Sequence, residues 1–445
     1  MYDAIFIENK GKPAVPFVFR FFNNDAQSAA SSKGMPGIRV TPENIVSECT
    51  DIEEIQAGVT AVIDDAIANL TRPLTPEEMS PKPKEAEKPA RLVFKGNLQE
   101  VNRFFYRRGW TDGLPVIPPT EEAVAEMLTG TDLAPHQVVA TLVPRRGKAT
   151  VEKIAVNAVM AGALPTYLPL IIAGVKALQN NRVADMMAAS TGSWAPFWVI
   201  NGPILRDINL NSSYGTMNPG DIANITIGRA LGLITKNIRG IRKGIEDMGV
   251  LGNPGKFSMV AAENEEDSPW EPLHVEHGLK KEDSAITLTF PQCYDQLYPY
   301  GTDDQGLLKT MMYNLTPYRV GVTGYILTPT NARSLARRGW TKKSIKEYII
   351  ANAKMPYDHD PHLYGAVFDD RGRNPDLKPD NPVPILQADH RGPPIVEIYV
   401  FGGMGSWVGI ASGGGDIRTE KAELPKNWES LVKKYRDVVP IYVRY

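Results

Sequence analysis

Near the N-terminus the chain reads Val15-Pro-Phe-Val-Phe-Arg-Phe21 and then Asp25-Ala-Gln-Ser-Ala-Ala-Ser-Ser32. The first run is apolar and aromatic, which is typical of a β-strand, and the second has the composition of a short helix. Residues 4–7 and 38–40 also look like strands, and apolar residues recur at helical spacing between residues 52 and 67. Strands that alternate with helices predict an α/β fold with a parallel sheet.

The chain divides into segments of different composition. Residues 1–70 amount to about half of a doubly wound unit, so we predict a truncated Rossmann-like segment with an open sheet edge. Residues 71–92 are rich in proline and charge, which predicts a linker. The full length of 445 residues exceeds one domain. We therefore predict a larger multi-layer α/β body, with a central domain at 93–325 and a C-terminal domain at 326–445.

Charge and cysteine content exclude several classes of protein. The formal net charge is −2, without the basic field that a nucleic-acid-binding protein needs. Two cysteines, Cys49 and Cys293, cannot form a disulfide scaffold or a thiolate zinc site. The N-terminus lacks the features of a signal peptide, and proline and lysine interrupt the longest apolar run, at residues 158–178. These features predict a cytoplasmic protein that binds neither nucleic acid nor membrane.

One short motif occurs twice. Arg107-Arg-Gly-Trp-Thr recurs as Arg337-Arg-Gly-Trp-Thr, and the flanking residues differ. Glycine takes the left-handed conformation that ends a helix, and cationic residues favour the last helical turn. We interpret the motif as a recurring helix terminator.

The densest group of chemically active residues is Ala262-Glu-Asn-Glu-Glu-Asp-Ser-Pro-Trp-Glu-Pro-Leu-His-Val-Glu-His277. Its two prolines exclude one long helix and predict a structured loop. An imidazole beside carboxylates suits acid–base chemistry near neutral pH, with His274, Glu266 and Glu263 as catalytic candidates. Trp270 would contact the substrate. His274 and Glu263 also fit a divalent metal site, and a solvated acidic loop with a capping histidine is the alternative.

A second group is rich in amides. The candidate substrate-binding residues are Asn201, Asn211, Asn218, Asn224 and Arg229, in and after a loop that opens a long helix. The chain has no phosphate-loop lysine and no Gly-x-Gly-x-x-Gly, so there is no nucleotide motif. A capped helix whose loop amides satisfy one another is the alternative. We expect this loop and the 263–277 loop to face one cleft.

Further candidates lie around residues 110–157. Asp112 falls in a tight turn, Trp110-Thr-Asp-Gly-Leu-Pro115, and is a catalytic candidate, although a turn aspartate often bonds its own backbone. Lys153 and Asn157 follow Arg145-Arg146 and would bind an anion, unless these are ordinary surface charges.

Two weaker patterns lie near the C-terminus. Asp358-His-Asp-Pro-His362 has the composition of a metal site, although its flanks suggest an exposed loop. Phe401-Gly-Gly-Met-Gly-Ser-Trp407 follows a predicted strand, and its glycines would let a ligand approach the backbone. Tight turns explain the glycines equally well.

The N-terminal segment resembles the second half of a UGSC-type domain, a family named for a selenocysteine-or-cysteine, Gly, Ser, Cys motif. The likeness runs from Pro16 through Gly34-Met-Pro-Gly37 to Ile63-Asp-Asp-Ala-Ile67. It implies thiol or selenol redox chemistry in a related protein. This chain has no Cys-Gly-Ser-Cys, because the half domain that would hold the motif is missing. Either a second chain supplies it and completes the sheet, or the thiol chemistry has been lost.

The rest of the chain is similar to uncharacterised bacterial proteins that carry this partial domain fused to a larger body. The likeness rests on the four segments at 110–115, 152–162, 201–204 and 264–274. We predict an enzyme that acts on a small polar or anionic substrate, with thiol-linked redox or C–S or C–N lyase chemistry. The alternative is a non-catalytic subunit that scaffolds a thiol- or selenol-bearing partner. An oligomer is the default expectation, and a divalent metal is the one cofactor the residues suggest.

Overall fold

The computed structural model describes residues 1–46, 51–79, 93–179, 191–315, 322–356, 359, 382–386, 393–413 and 416–439. Cys49 and nearly all of the 358–362 cluster lie outside this part of the chain. The helices are α1 (Tyr2–Glu8), α2 (Asn23–Ser32), α3 (Ile52–Thr71), α4 (Pro76–Met79), α5 (Leu98–Arg107), α6 (Glu121–Leu128), α7 (Val151–Ala161), α8 (Leu168–Leu178), α9 (Ile204–Asp207), α10 (Ile222–Ile234), α11 (Leu273–Glu276), α12 (Asp304–Tyr313), α13 (Pro329–Ala336), α14 (Lys342–Asn352) and α15 (Trp428–Tyr435).

The strands are β1 (Phe17–Phe19), β2 (Thr41–Glu43), β3 (Val138–Leu142), β4 (Gly147–Thr150), β5 (Phe197–Asn201), β6 (Val260–Ala262), β7 (Ala285–Thr289), β8 (Cys293–Leu297), β9 (Val322–Leu327), β10 (Lys354–Pro356), β11 (Pro382–Pro384), β12 (Ile395–Val400), β13 (Val408–Ser412) and β14 (Arg418–Lys421). Helices and mixed sheets together confirm the α/β class of the prediction. No helix among the described residues is long and apolar enough to cross a bilayer.

The N-terminal segment contains a two-stranded parallel sheet, β1 beside β2, with helices after each strand. The predicted strand at 4–7 is wrong, because these residues form α1, with Ala4 and Ile5 buried. A four-residue apolar run fits a helix as well as a strand, and packing decides between them. The strand predicted at 38–40 begins three residues later, at Thr41. α3 begins as predicted, where the Asp51 carboxylate accepts the backbone N–H of Glu53 and Glu54.

The predicted linker is described as far as Met79, and this part packs against the N-terminal segment. α3 continues to Thr71, and the short α4 follows it. Arg39 donates to Glu78 through Nε at 3.0 Å and Nη2 at 2.8 Å, and to the carbonyls of Asn69 and Arg72. The hydrogen bonds that the Glu78 carboxylate accepts from Arg39, then from Arg72 and the Thr75 backbone, hold its pKa well below its usual range. Residues 71–79 therefore pack as part of the N-terminal segment.

The central sheet has the strand order β14-β7-β5-β6. All five residues of β5 are buried, and the apolar α8 packs against β7. From its apolar periodicity and turn residues, the sequence predicts helices at 98–107, 121–128, 151–161 and 167–179, and the structure has them as α5 to α8. The left-handed glycines Gly109 and Gly339 follow α5 and α13, which confirms the repeated motif as a helix terminator.

A second sheet has the order β12-β9-β13-β8. β12 and β9 are parallel, whereas β13 runs antiparallel to both of its neighbours. The predicted boundary at residue 325 does not separate the two sheets. β8 precedes that boundary and joins the second sheet, while β14 follows it and joins the central sheet. The two sheets of the body are therefore interleaved along the chain.

The N-terminal segment meets the body at a buried acidic contact. Ser28 donates to Oε1 of Glu246 at 3.1 Å, and Asp25 lies on the same helix, α2. Burial, followed by the negative charge of Glu246, raises the pKa of Asp25 to about 6. A raised folded-state pKa stabilises the fold below the unfolded pKa, and this contribution disappears as pH rises through about 6.

Replacing Asp25 with asparagine removes the charge that is unfavourable at high pH. We expect the melting temperature of Asp25→Asn to exceed that of the wild type well above pH 6, and to match it in acid, where Asp25 is protonated. Differential scanning fluorimetry across pH measures this difference. Asp64→Asn, on the exposed side of α3, is the matched control. A pH-independent difference would contradict the assignment.

Candidate functional site

The Glu263 carboxylate lies at the end of β6, in the body's interior, where its side chain is only 1% exposed. Its Oε2 accepts the Asn201 amide and the Leu273 backbone N–H, both at 2.7 Å. Its Oε1 accepts the Lys342 ammonium at 3.1 Å and the Val400 backbone N–H at 3.2 Å. Because Asn201 ends β5 and Val400 ends β12, this one carboxylate joins the two sheets.

Lys342 continues the charged network. Its ammonium also contacts Glu276 at 2.8 Å, and Lys346 links Glu276 at 3.3 Å to Glu397 at 2.7 Å. Burial alone would lower the pKa of Lys342, but Glu263 and Glu276 outweigh it and hold that pKa above its usual value. For Glu397, burial alone would raise the pKa of the carboxyl. The interactions with His277 and Lys346 outweigh burial, and the pKa is lowered. Alternating charges therefore stabilise one another across the junction of the sheets.

His274 lies beside this network and is fully buried. Neither ring nitrogen has a hydrogen-bond partner in the described part of the chain, and Nδ1 lies 3.9 Å from Oε1 of Glu265. That Glu265 oxygen accepts the Asn201 amide at 3.0 Å and the Gly202 backbone N–H at 2.7 Å. The structure thus brings His274, Glu263 and Asn201 together as predicted, but inside the protein rather than on the wall of an open cleft.

Two other residues of the 263–277 loop lie apart from this network. Glu266 is 66% exposed and forms a surface ion pair with Arg206 at 2.6 Å. Trp270 packs against the core of the second sheet and donates its indole N–H to the Trp340 carbonyl at 3.0 Å.

The described residues give no support to the metal prediction. No three His, Cys, Asp or Glu side chains there are grouped to hold an ion. Both oxygens of Glu263 already accept hydrogen bonds, and the Lys342 ammonium supplies the positive charge beside them. A metal at His274 and Glu263 would have to displace these donors.

The amide-rich loop divides between two places. Asn224 is buried and bonds the Asn211 backbone and the Thr216 carbonyl, so it shapes the loop from within. Asn211 donates to the Tyr214 carbonyl and to Asp221. Asn218 lines a separate cleft, and Asn201 meets the 263–277 loop only in the buried interior, so the two loops do not face one cleft.

The turn at 110–115 is held against α10 and the π-helical turn that follows it. Arg229 donates two hydrogen bonds to the Asp112 carboxylate, from Nε at 2.7 Å and from Nη2 at 3.1 Å. It also donates to the Pro115 carbonyl at 2.7 Å. Lys236 donates to the Thr111 carbonyl, and Asn237 to the Trp110 carbonyl at 3.0 Å. Asp112 and Arg229, which the sequence assigned to catalysis and substrate binding, thus neutralise each other and fix the turn.

Beside this turn lies a cavity of about 1230 Å³, which we call the basic cleft. Two carboxylates, Glu121 and Glu122, are its only acidic lining residues in the described chain. Its aromatic wall includes Phe105 and Trp110. Six cationic side chains line it: Lys95, Arg108, Arg145, Lys153, Lys236 and Arg242.

The basic cleft contains the two anion-binding candidates of the sequence. Lys153 lies in the first turn of α7, and Asn157 lies one turn later. The side-chain oxygen Oδ1 of Asn157 accepts the Asn237 side-chain amide at 2.8 Å, and that amide also donates to the Trp110 carbonyl, which joins α7 to the 110–115 turn. Arg242 pairs with Glu246, but Arg145 and Lys153 have no carboxylate partner among the described residues. Part of the positive charge in the cleft is therefore available to a ligand.

Lys236 is a lining residue whose ammonium is partly buried. It lines both the basic cleft and an adjoining cavity of about 170 Å³ that contains Asp112 and Arg229. Burial lowers the pKa of its ammonium, and the nearby Asp112 carboxylate opposes this only in part. A lysine with a lowered pKa in a cleft is a functional-site signal. The sequence showed it only as a local excess of basic residues at 236–243.

Removing the Lys342 ammonium tests the buried network. Lys342→Met leaves Glu263 and Glu276 without their shared counter-charge, and we expect a loss of about 3–5 kcal/mol in the free energy of unfolding. Urea denaturation measures it. Lys343→Met, one residue along the same helix and 85% exposed, is the matched control and should change little. If both variants change the free energy of unfolding by the same small amount, the buried network does not contribute to stability.

Comparison with protein families, curated proteins and solved structures identified no related protein. No protein-family model matches the chain, and no curated protein or solved structure shows significant similarity to it. The resemblance to the UGSC-type family therefore rests on the sequence pattern alone.

Proposed function

We propose that this protein is an enzyme that acts on a small anionic substrate bound in the basic cleft. The observation that carries the proposal is the charge imbalance of that cleft, six cationic side chains against two carboxylates. Cations held together repel one another, so an anion that binds among them relieves the repulsion and is itself stabilised. Residues from 152–162 and 110–115, two of the four resemblance segments, build the walls.

The cleft favours a substrate that combines an anionic group with an apolar part. Arg145 presents a planar guanidinium, which bonds carboxylate or phosphate through two parallel N–H groups, and Lys153 adds a point charge. The Arg108 guanidinium lies over the Trp110 ring, 5.4 Å from its centroid, and so continues the charged surface onto the aromatic wall. A volume of about 1230 Å³ leaves room for a small metabolite and its water.

Lys236 is the residue best suited to proton transfer. Its lowered pKa increases the share of neutral amine, which can accept a proton from a bound substrate. C–S or C–N lyase chemistry needs such a base next to an anionic substrate, so this reaction class suits the cleft better than redox chemistry. Cys293, the cysteine that the structure describes, lines a different cleft. The buried His274, Glu263 and Asn201 then stabilise the body, and Glu266 stays outside the proposed chemistry.

Binding of small anions tests the site. We expect inorganic phosphate and small dicarboxylates to bind the wild type in calorimetry, with an affinity that falls as salt is added. The double variant Arg145→Ala, Lys153→Ala should bind about tenfold more weakly, because two charge-assisted hydrogen bonds are lost. Lys343→Ala, an exposed lysine outside the cleft, is the control. Equal affinity in all three proteins would remove the basic cleft as the binding site.

The catalytic part of the proposal has its own readout. Conversion of anionic metabolites by the purified protein, followed by mass spectrometry, should increase with pH as Lys236 loses its proton. Lys236→Met should lose conversion, and Lys236→Arg should keep anion binding without conversion, because a guanidinium stays protonated. Conversion that survives in Lys236→Arg would show that another residue transfers the proton.

A second candidate function is a subunit that scaffolds a thiol- or selenol-bearing partner. The parallel pair β1 and β2, with helices after both strands, supports a truncated Rossmann-like unit that another chain completes. On α3, Ile63, Ile67 and Leu70 recur on one helical face and are exposed. Exposed apolar faces of this kind usually meet a partner.

A charge on this face separates the two functions. Ile67→Asp should abolish co-purification of a partner expressed from the neighbouring genes and leave anion binding intact, because the basic cleft lies elsewhere. Native mass spectrometry of the complex reports both the partner and any bound cofactor. Ala61→Asp, an exposed position on the opposite side of the same helix, is the control. If neither the wild type nor Ile67→Asp forms a complex, the scaffold function is excluded and only the enzyme proposal remains.

A further inference from the structure

A second cleft opens where the two parallel strands of the second sheet end. Thr328 follows β9, and the turn Phe401-Gly-Gly-Met-Gly405 follows β12. Residues 214–218, 252–255 and 258–259 also line the cleft. The enclosed volume is about 860 Å³, within the range of small-molecule sites. Ligands of α/β sheets bind outside the carboxyl ends of parallel strands, which is where this glycine-rich cleft lies.

The glycine-rich cleft has the opposite electrostatic character from the basic cleft. None of its described lining residues is an aspartate, glutamate, lysine, arginine or histidine. Phosphate or carboxylate groups would find no counter-charge there, and a cation would find no anion. Burying an uncompensated charge is unfavourable, so the cleft selects a ligand part that is neutral.

The walls offer flat and polarisable surfaces. Gly403 has no Cβ, and the ring of Tyr214 lies directly over it. The Tyr214 hydroxyl donates a hydrogen bond to the Met404 carbonyl at 3.2 Å. A side chain at position 403 would collide with this ring. The cleft also contains four aromatic and three thioether side chains: Tyr214, Tyr294, Phe401, Trp407, Met217, Met259 and Met404. Such surfaces stack well on the face of a planar π system.

Polar recognition comes from amides. The Asn253 amide donates to the Gln292 backbone carbonyl and accepts the Gly255 backbone N–H, and the Gln292 amide donates to the Gly192 carbonyl, so both side chains fix the wall. The side chains of Asn218 and Gln296 also line the cleft, and neither has a hydrogen-bond partner within the described chain. Each amide offers a donor and an acceptor, and such a pair can form two hydrogen bonds with the donor and acceptor atoms at the edge of a heterocyclic ring.

We infer that the glycine-rich cleft binds an uncharged heteroaromatic ring, stacked on Trp407 and Tyr294 and read at its edge by Asn218 and Gln296. A carbohydrate fits less well, because its many hydroxyls would need more polar partners than two free amides. The ring belongs to a second ligand, or to a cofactor, that is separate from the anion of the basic cleft. This inference does not depend on the proposed reaction.

The test uses adenosine, uridine and riboflavin as neutral ring probes and glucose as the carbohydrate probe. Saturation-transfer NMR on the full-length protein should show binding of at least one ring probe, with an affinity that does not change with salt. Trp407→Ala should weaken it about tenfold, since stacking on one aromatic side chain has about that effect. Trp407 is 48% exposed, so the fold should tolerate its removal.

Two further variants complete the design. Asn218→Ala with Gln296→Ala should lower affinity without abolishing stacking, and Tyr300→Ala, an exposed tyrosine outside the cleft, should have no effect. Failure of all three ring probes, equal binding by Trp407→Ala, or preferential binding of glucose would each overturn the inference. Ring binding that falls with salt and with the Arg145→Ala, Lys153→Ala double variant would instead place the ligand in the basic cleft.

Discussion

The body depends on a single buried carboxylate. Glu263 takes hydrogen bonds from β5, from the start of α11, from α14 and from the end of β12, so one strand of each sheet and two helices meet at two oxygen atoms. A buried charge is tolerated only when it is paired and fully hydrogen-bonded, and here every donor is in place. The geometry of this junction fixes where the second sheet sits, and with it the position of the glycine-rich turn after β12.

Sequence patterns recovered the local structure and missed the long-range pairings. Periodicity and caps located α5 to α8, and the repeated motif marked the ends of α5 and α13 correctly. The partners of Glu263 lie 62, 79 and 137 residues away for Asn201, Lys342 and Val400. Lys342 follows the capping residue Thr341 and looks like an ordinary first-turn lysine. Nothing local to these positions reveals their shared environment.

The candidate site shows the same division. The sequence proposed Lys153 and Asn157 as candidate anion-binding residues, and both line the basic cleft. It also identified His274, but an imidazole on a loop looks alike whether it faces solvent or the core, and tertiary packing decides. Asp112 and Arg229 were chosen separately for their chemistry, and only the fold shows that they satisfy each other. Charges that neutralise one another in space are indistinguishable from free ones along the chain.

The interleaving of the two sheets has a consequence for biosynthesis. β8, at residues 293–297, joins the second sheet only through β13, at 408–412, and β7 acquires its outer neighbour from 418–421. A ribosome must therefore deliver nearly the whole chain before either sheet is complete. Until then the emerging body exposes unpaired strand edges, which other chains can capture.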